Sequence, residues 1–241
     1  LCLDTSGSMA GLDFELDGKP VTRLTAVKKV VSDFISKRPD DRMGMVVFGE
    51  EAFTQAPLTM DKGLLLNLVD SMQIGMAGDS TAIGEALAVS GKRLKDLKAP
   101  SKVVILLTDG NSNAGGITPS EAAGALKALG IKVYTVGVGG RGEAPFLVDT
   151  PFGKRVIYQR IDLNEDALRE ISGATGGKFF LASNTSELSK IYRTIDSLEK
   201  HEVKAREFFH YRELYAFLLV PALVLLLLEL GLRLTVARVL P

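Results

Sequence analysis

Asp4, Ser6 and Ser8 stand at alternate positions in "DTSGSM", directly after the apolar run "LCL". One carboxylate and two hydroxyls one step past a strand suit three uses. They could serve an enzyme nucleophile, ligate a metal ion, or bond the backbone amides of a polar turn. Two more polar positions carry the same chemistry: Thr81 lies in "GDSTAIGEAL" just ahead of a helical pattern, and Asp109 ends the apolar run "KVVILLTDG". Two carboxylates brought within about 4 Å repel by about 4 kcal/mol at an effective dielectric near 20, and a divalent cation turns that repulsion into attraction. Carboxylate and hydroxyl oxygens without sulfur or nitrogen suit a hard ion. Mg²⁺ is favoured by a compact octahedral shell, with Mn²⁺ and Ca²⁺ as alternatives. Such an ion keeps a coordination position open for water or an outside ligand.

Catalysis finds little support. Ser6 is not in a Gly-x-Ser-x-Gly elbow, and His201 and His210 lie together in one late charged segment, away from it. An aspartyl-phosphate chemistry wants a second acid two residues after Asp4, where Ser6 stands. There is no Gly-x-x-x-x-Gly-Lys-Ser/Thr loop for a nucleotide. A metal-dependent phosphohydrolase is therefore the weakest reading. The single cysteine, Cys2, excludes an internal disulfide and a cysteine-based zinc site. With 29 basic and 29 acidic residues the chain has no net charge, so nucleic acid is not an expected partner.

The elements that must carry these residues alternate between two periods. "RLTAVKKVVSDFISKR" places Leu24, Val27, Val30, Val31, Phe34 and Ile35 on one helical face. "RMGMVVFG" and "EAFTQAPL" read as strands, and Asp61–Met72 and Ile83–Lys95 as helices. "KVVILLTDG" and "KVYTVGVG" are near-continuous apolar runs, the mark of strands buried on both faces. Between them "TPSE" carries a capping threonine, a proline in the first turn and a glutamate three residues on from the cap. Residues 140–162 read as an irregular excursion with a hairpin turn at "TPFG"; Glu165–Thr175 is a helix, "KFFLA" a strand and Ser186–Leu198 a helix. "GLDFELDGKP" reads as a connecting loop. The alternation implies an α/β domain with a Rossmann-like, mostly parallel sheet covered by helices on both faces. In such a sheet, ligands collect beyond the carboxyl ends of the strands, where Asp4 and Asp109 fall.

The far end differs. Leu214–Leu232, "LYAFLLVPALVLLLLELGL", is apolar on every face with one charge, Glu229. At about 1.5 Å per residue it matches a hydrocarbon core of about 30 Å, so a C-terminal transmembrane helix is expected. The expected organisation is residues 1–198 as the α/β domain, 199–213 as a charged stalk, 214–232 as the span and 233–241 as a short tail. Basic residues flank the span on both sides, and their count does not orient it. Leu1 is not a methionine and "LCLD" reads as the end of a strand already under way, so a preceding segment is expected.

In that order and spacing, "DTSGSM", "GDST" and "LLTDG" resemble the metal-ion-dependent adhesion site of von Willebrand factor A (VWA) domains, Asp-x-Ser-x-Ser, then Thr, then Asp. The resemblance implies that Asp4, Ser6, Ser8, Thr81 and Asp109 hold the ion. It gives direct bonds to the serines and to one of Thr81 or Asp109, with the remaining carboxylates acting largely through water. A glutamate or aspartate from a protein partner then completes the shell. "KRPDDRMGMVVFGEEAFTQAPLTMD", "AIGEAL", "LLTDGNSNAGGITPSEAA", "YTVGVGG" and "APFLVDTPFGKR" further resemble the bacterial aerotolerance Bat family, BatA-type members in particular. This implies a binding module in the bacterial inner membrane with its soluble domain in the periplasm. Other Bat-type VWA proteins or a MoxR-type AAA+ ATPase would be its partners. The alternative is a structural subunit of a membrane complex whose metal only stabilises the fold.

Overall fold

The computed structural model describes residues 1–140, 142–151, 153–161, 163–207, 219, 221–223 and 225–230. From the start of the chain run β1 (Cys2–Asp4), a 3-10 turn (Gly7–Ala10), β2 (Phe14–Leu16), β3 (Lys19–Val21), α1 (Arg23–Ser36), β4 (Met43–Phe48) and β5 (Ala52–Thr59). Then come α2 (Lys62–Ser71), α3 (Ile83–Leu94), β6 (Val103–Thr108), α4 (Pro119–Ala128) and β7 (Lys132–Val138). The last elements are β8 (Gly142–Thr150), β9 (Gly153–Ile161), α5 (Glu165–Thr175), β10 (Phe179–Ala182) and α6 (Thr185–Glu207).

Six strands form the central sheet in the order β10-β7-β6-β1-β4-β5. All its pairings are parallel except that of β4 with β5, a hairpin that closes one edge. The parallel strands carry apolar side chains on both faces because helices cover both. Val27, Val31 and Ile35 of α1, Leu65 and Val69 of α2, and Leu188 and Ile195 of α6 pack against Leu3, Val47 and Leu107 on one side. Ala86 and Leu87 of α3, Leu126 of α4 and Leu168 and Ile171 of α5 pack against Cys2, Phe48 and Leu106 on the other. Leu106 and Leu107 are neighbours in β6 that point into opposite layers, each fully buried. At about 1.5–3 kcal/mol per buried leucine, neither layer tolerates a polar residue there.

The helix ends are written locally. Thr118 accepts from the amide of Glu121, whose carboxylate accepts from the Thr118 amide, so the expected capping box forms at α4. Asn164 caps α5, which closes on Gly176 in the left-handed conformation.

The segment "GLDFELDGKP" differs from expectation. It is the hairpin of β2 and β3, turning at Asp17 and Gly18, both with positive φ (51° and 74°). An Asp-Gly pair supplies that turn, and buried Phe14 pins the hairpin to the core. A second hairpin, β8 with β9, fills the excursion after β7 and turns between Thr150 and Gly153.

Chain contacts divide the molecule into Leu1–Val203 and Lys204–Pro241. Of the expected span over 214–232, residues 214–218, 220, 224, 231 and 232 lie outside the described residues. Residues 221–223 and 225–230 are helical and exposed. Among the described residues no helix is long and apolar enough to cross a membrane.

Candidate metal centre

The crossovers after β1 and after β6 leave for opposite faces of the sheet, with α1 in one layer and α4 in the other. Adjacent strands whose connections diverge leave a crevice at their carboxyl ends. Asp4 is the last residue of β1, and Asp109 follows the last residue of β6. One Asp4 oxygen accepts from the Ser6 amide at 2.8 Å and the other from the Thr108 hydroxyl at 2.6 Å. Both are thus taken by protein donors, so this carboxylate acts on the crevice through its charge and the loop it orients. The hydroxyls of Ser6 and Ser8 lie 3.0 Å apart, and Ser8 Oγ donates to Asp109 Oδ1 at 2.5 Å. A Cβ built on Gly110 would meet Thr81 Oγ1 at 3.3 Å and Ser8 Oγ at 3.8 Å, so both hydroxyls border one small space. The first segment therefore meets two others that lie more than 70 residues further along the chain.

The donor set suits a hard cation. Thr81 is 3 % exposed, and its hydroxyl stands at the edge of that space beside Gly110. Burial, and then the charge of Asp109, pushes the Asp4 carboxyl up to about 7 against the bonds from Ser6 and Thr108. Asp109 is also raised, because its burial outweighs the pull of Arg23 and Ser8. Two buried carboxylates that resist ionising together are what a divalent cation relieves. Among the described residues no group of three His, Cys, Asp or Glu side chains gathers, so any ion here depends on hydroxyl oxygens.

The von Willebrand factor type A domain model matches residues 1–194. The chain belongs to this family. Other VWA proteins lie near it in both sequence and structure. The conserved hypothetical protein BatB from Bacteroides thetaiotaomicron superposes with a TM-score of 0.69 at 30% identity, over 82% of this chain and 96% of that one. An aerotolerance-related membrane protein from Bacteroides fragilis gives 0.68 at 26% identity, over 80% and 94%. Proximal thread matrix protein 1 of the mussel byssus shares the fold at 23% identity and a TM-score of 0.58, over 81% of this chain and 43% of its own. It has been solved with zinc in its MIDAS motif. An uncharacterized protein of Borreliella burgdorferi is 27% identical over 230 residues, covering 94% of this chain and 66% of the relative. The chain spans less than two thirds of the length of the first curated relatives it matches.

Around the VWA crevice stand residues that the sequence did not single out. Arg23, 2 % exposed at the first position of α1, donates from Nη1 to Asp109 Oδ2 at 2.8 Å. Its Nε and Nη2 grip both oxygens of Asp13 at 2.8 and 2.5 Å. Asp13 is thus an ion-pair partner. Asn113 brackets Thr81: its Oδ1 accepts from the Thr81 amide at 2.7 Å and its backbone amide donates to the Thr81 carbonyl at 3.0 Å. A signal for Arg23 was present. Arg23, Val27, Val30 and Phe34 share the apolar stripe of α1, where a charge demands a buried partner.

Proposed function

We propose that this chain is a membrane-tethered binding module that captures a protein partner through a Mg²⁺ ion held by Asp4, Ser6, Ser8, Thr81 and Asp109. The reading rests on one observation: three hydroxyls and the Asp109 carboxylate, from three separate segments, meet at the carboxyl edge of the sheet, with buried Asp4 bonded to the Ser6 amide. Asp4 and Asp109 supply the charge, Ser6, Ser8 and Thr81 supply neutral oxygens, and the open position takes an acidic side chain of the partner. The zinc in the mussel protein's motif supports a divalent ion; the all-oxygen set favours Mg²⁺ over zinc. Likeness to BatB and to the aerotolerance-related membrane protein supports a Bat-type protein at a membrane; the proposal adds that it works in an assembly of the bacterial inner membrane, with the domain in the periplasm. Another Bat-type VWA protein or a MoxR-type AAA+ ATPase is the partner class to look for.

A second reading has an observation of its own. The strained ionisation of buried Asp4 would make the ion a stabiliser of the fold inside a structural subunit. Pull-down from native membranes with wild type and Asp4→Ala, in Mg²⁺ and in EDTA, separates the two. The binding module loses its co-purifying protein in EDTA and in the variant. The structural subunit keeps the same co-purifying proteins and loses only thermal stability.

A further inference from the structure

We infer that Arg23 is a specificity-determining residue of the metal centre: by holding Asp109 Oδ2 it leaves the ion-loaded site with surplus positive charge, which selects a carboxylate over a neutral ligand. The inference rests on the reading that Asp4, Ser6, Ser8, Thr81 and Asp109 hold a divalent ion, and adds what chooses the outside ligand.

Arg23 is in a costly place. It is a buried cation at the amino end of α1, where the helix dipole favours anions. The surroundings are built to keep it there. Its amide donates to the Gly11 carbonyl at 2.9 Å, and Asp13 and Asp109 take its guanidinium from two sides. Gly139, just past β7, has φ +129°, and a Cβ there would lie 2.7 Å from the guanidinium carbon. The glycine leaves the room the cation fills. A guanidinium stays protonated in any such site.

Two consequences follow for an ion. First, Asp109 presents Oδ1 to Ser8 and Oδ2 to Arg23, so it cannot turn both oxygens onto a metal. Second, Asp4 and Asp109 together carry −2, Arg23 returns +1, and a divalent ion brings this set to +1. Without Arg23 the same set is neutral. Asp13 takes the Nε and Nη2 edge of Arg23 with its side chain 19% exposed, against 0% for Asp109, so water screens its charge more than that of Asp109 and it offsets only part of the surplus. The arrangement gives up some grip on the metal and gains attraction for an anion.

The test uses the full chain in lipid nanodiscs, with Mn²⁺ as the metal probe read by electron paramagnetic resonance. Acetate and its neutral isostere acetamide serve as ligand probes on the Mn²⁺-loaded protein, read by relaxation of water protons. Arg23→Gln is expected to bind Mn²⁺ roughly tenfold more tightly and acetate roughly tenfold more weakly, with acetamide unchanged. Arg23→Lys, which keeps the charge, retains the preference for acetate. Asp13→Asn shifts both affinities the opposite way by a smaller factor. Should Arg23→Gln not fold, the Asp13→Asn and Arg23→Lys results decide. A fall of Mn²⁺ and acetate affinity together in Arg23→Gln, or no change in either, marks a purely structural arginine and overturns the inference. So does Asp13→Asn binding acetate no better than wild type. Wild-type protein that binds no Mn²⁺ is a separate outcome, which removes the metal centre and this role with it.

Discussion

Asp4 makes the centre sensitive to pH. Its carboxyl stands at about 7 in the folded chain against an ordinary 3.8, because burial and then the charge of Asp109 oppose ionisation. Between those values the metal-free folded state holds a proton that the unfolded chain releases. Stability from this group is therefore present at low pH and is lost as pH rises through the window. A divalent ion competes with that proton, so its affinity climbs over the same range and levels off above about 7. Thermal unfolding of the chelated chain is expected to show a lower midpoint near pH 7.5 than near pH 4.5, with Mg²⁺ raising the midpoint mainly at the higher pH. Equal midpoints without metal would remove the coupling. Which of these residues could be read in advance follows from sequence distance. Asp4, Ser6 and Ser8 form a local pattern, and Thr81 and Asp109 each stand beside a recognisable element boundary. Arg23 and Asn113 act through partners 86 and 32 residues away; the apolar stripe of α1 marks Arg23 as buried, but neither separation names the partner.

Element types were legible where a period was strong. The helices α1 and α5 and the strands β6 and β7 fall within a few residues of their expected bounds. The β2–β3 hairpin was not read, because three-residue strands are too short to show alternation, although the Asp-Gly turn between them was there to find. α6 holds the other surprise. Glu199, at the head of a charged stretch, is only 6% exposed at the foot of the sheet. It accepts from Tyr134 at 2.6 Å, from Ser101 at 2.8 Å and from Lys132 at 3.1 Å. Charge content alone marks such a glutamate as solvent-facing, since the partners that bury it come from β7 and the segment before β6. Glu199→Ala removes an acceptor that three donors share, and about 1–3 kcal/mol of stability is expected to go with it. Urea unfolding checks this: an unchanged midpoint would mean the network contributes nothing to holding α6.

At the scale of the whole molecule, alternation gave the layered parallel sheet but not its strand order. Hydrophobic periodicity says that a strand is buried, not which neighbours it takes, and the first strand lies fourth in the sheet, between β6 and β4. That insertion creates the crevice, so the position of the site depends on a fact of topology. The C-terminal unit, Lys204–Pro241, raises a separate question of burial. Leu223, Leu225, Leu226, Leu227, Leu228 and Leu230 are each more than half exposed. In water each such leucine forgoes part of the about 1.5–3 kcal/mol that burial gives, and a hydrocarbon phase would restore it. The proposed anchor therefore predicts that the full chain stays with the membrane pellet through an alkaline carbonate wash. A chain ending at Val203 is expected in the supernatant. Protease added to spheroplasts then reports the face: loss of the Leu1–Val203 unit without breaking the cells places the metal centre in the periplasm. Release of the full chain by carbonate would leave those leucines needing a protein to cover them, and the membrane anchor would have to be given up.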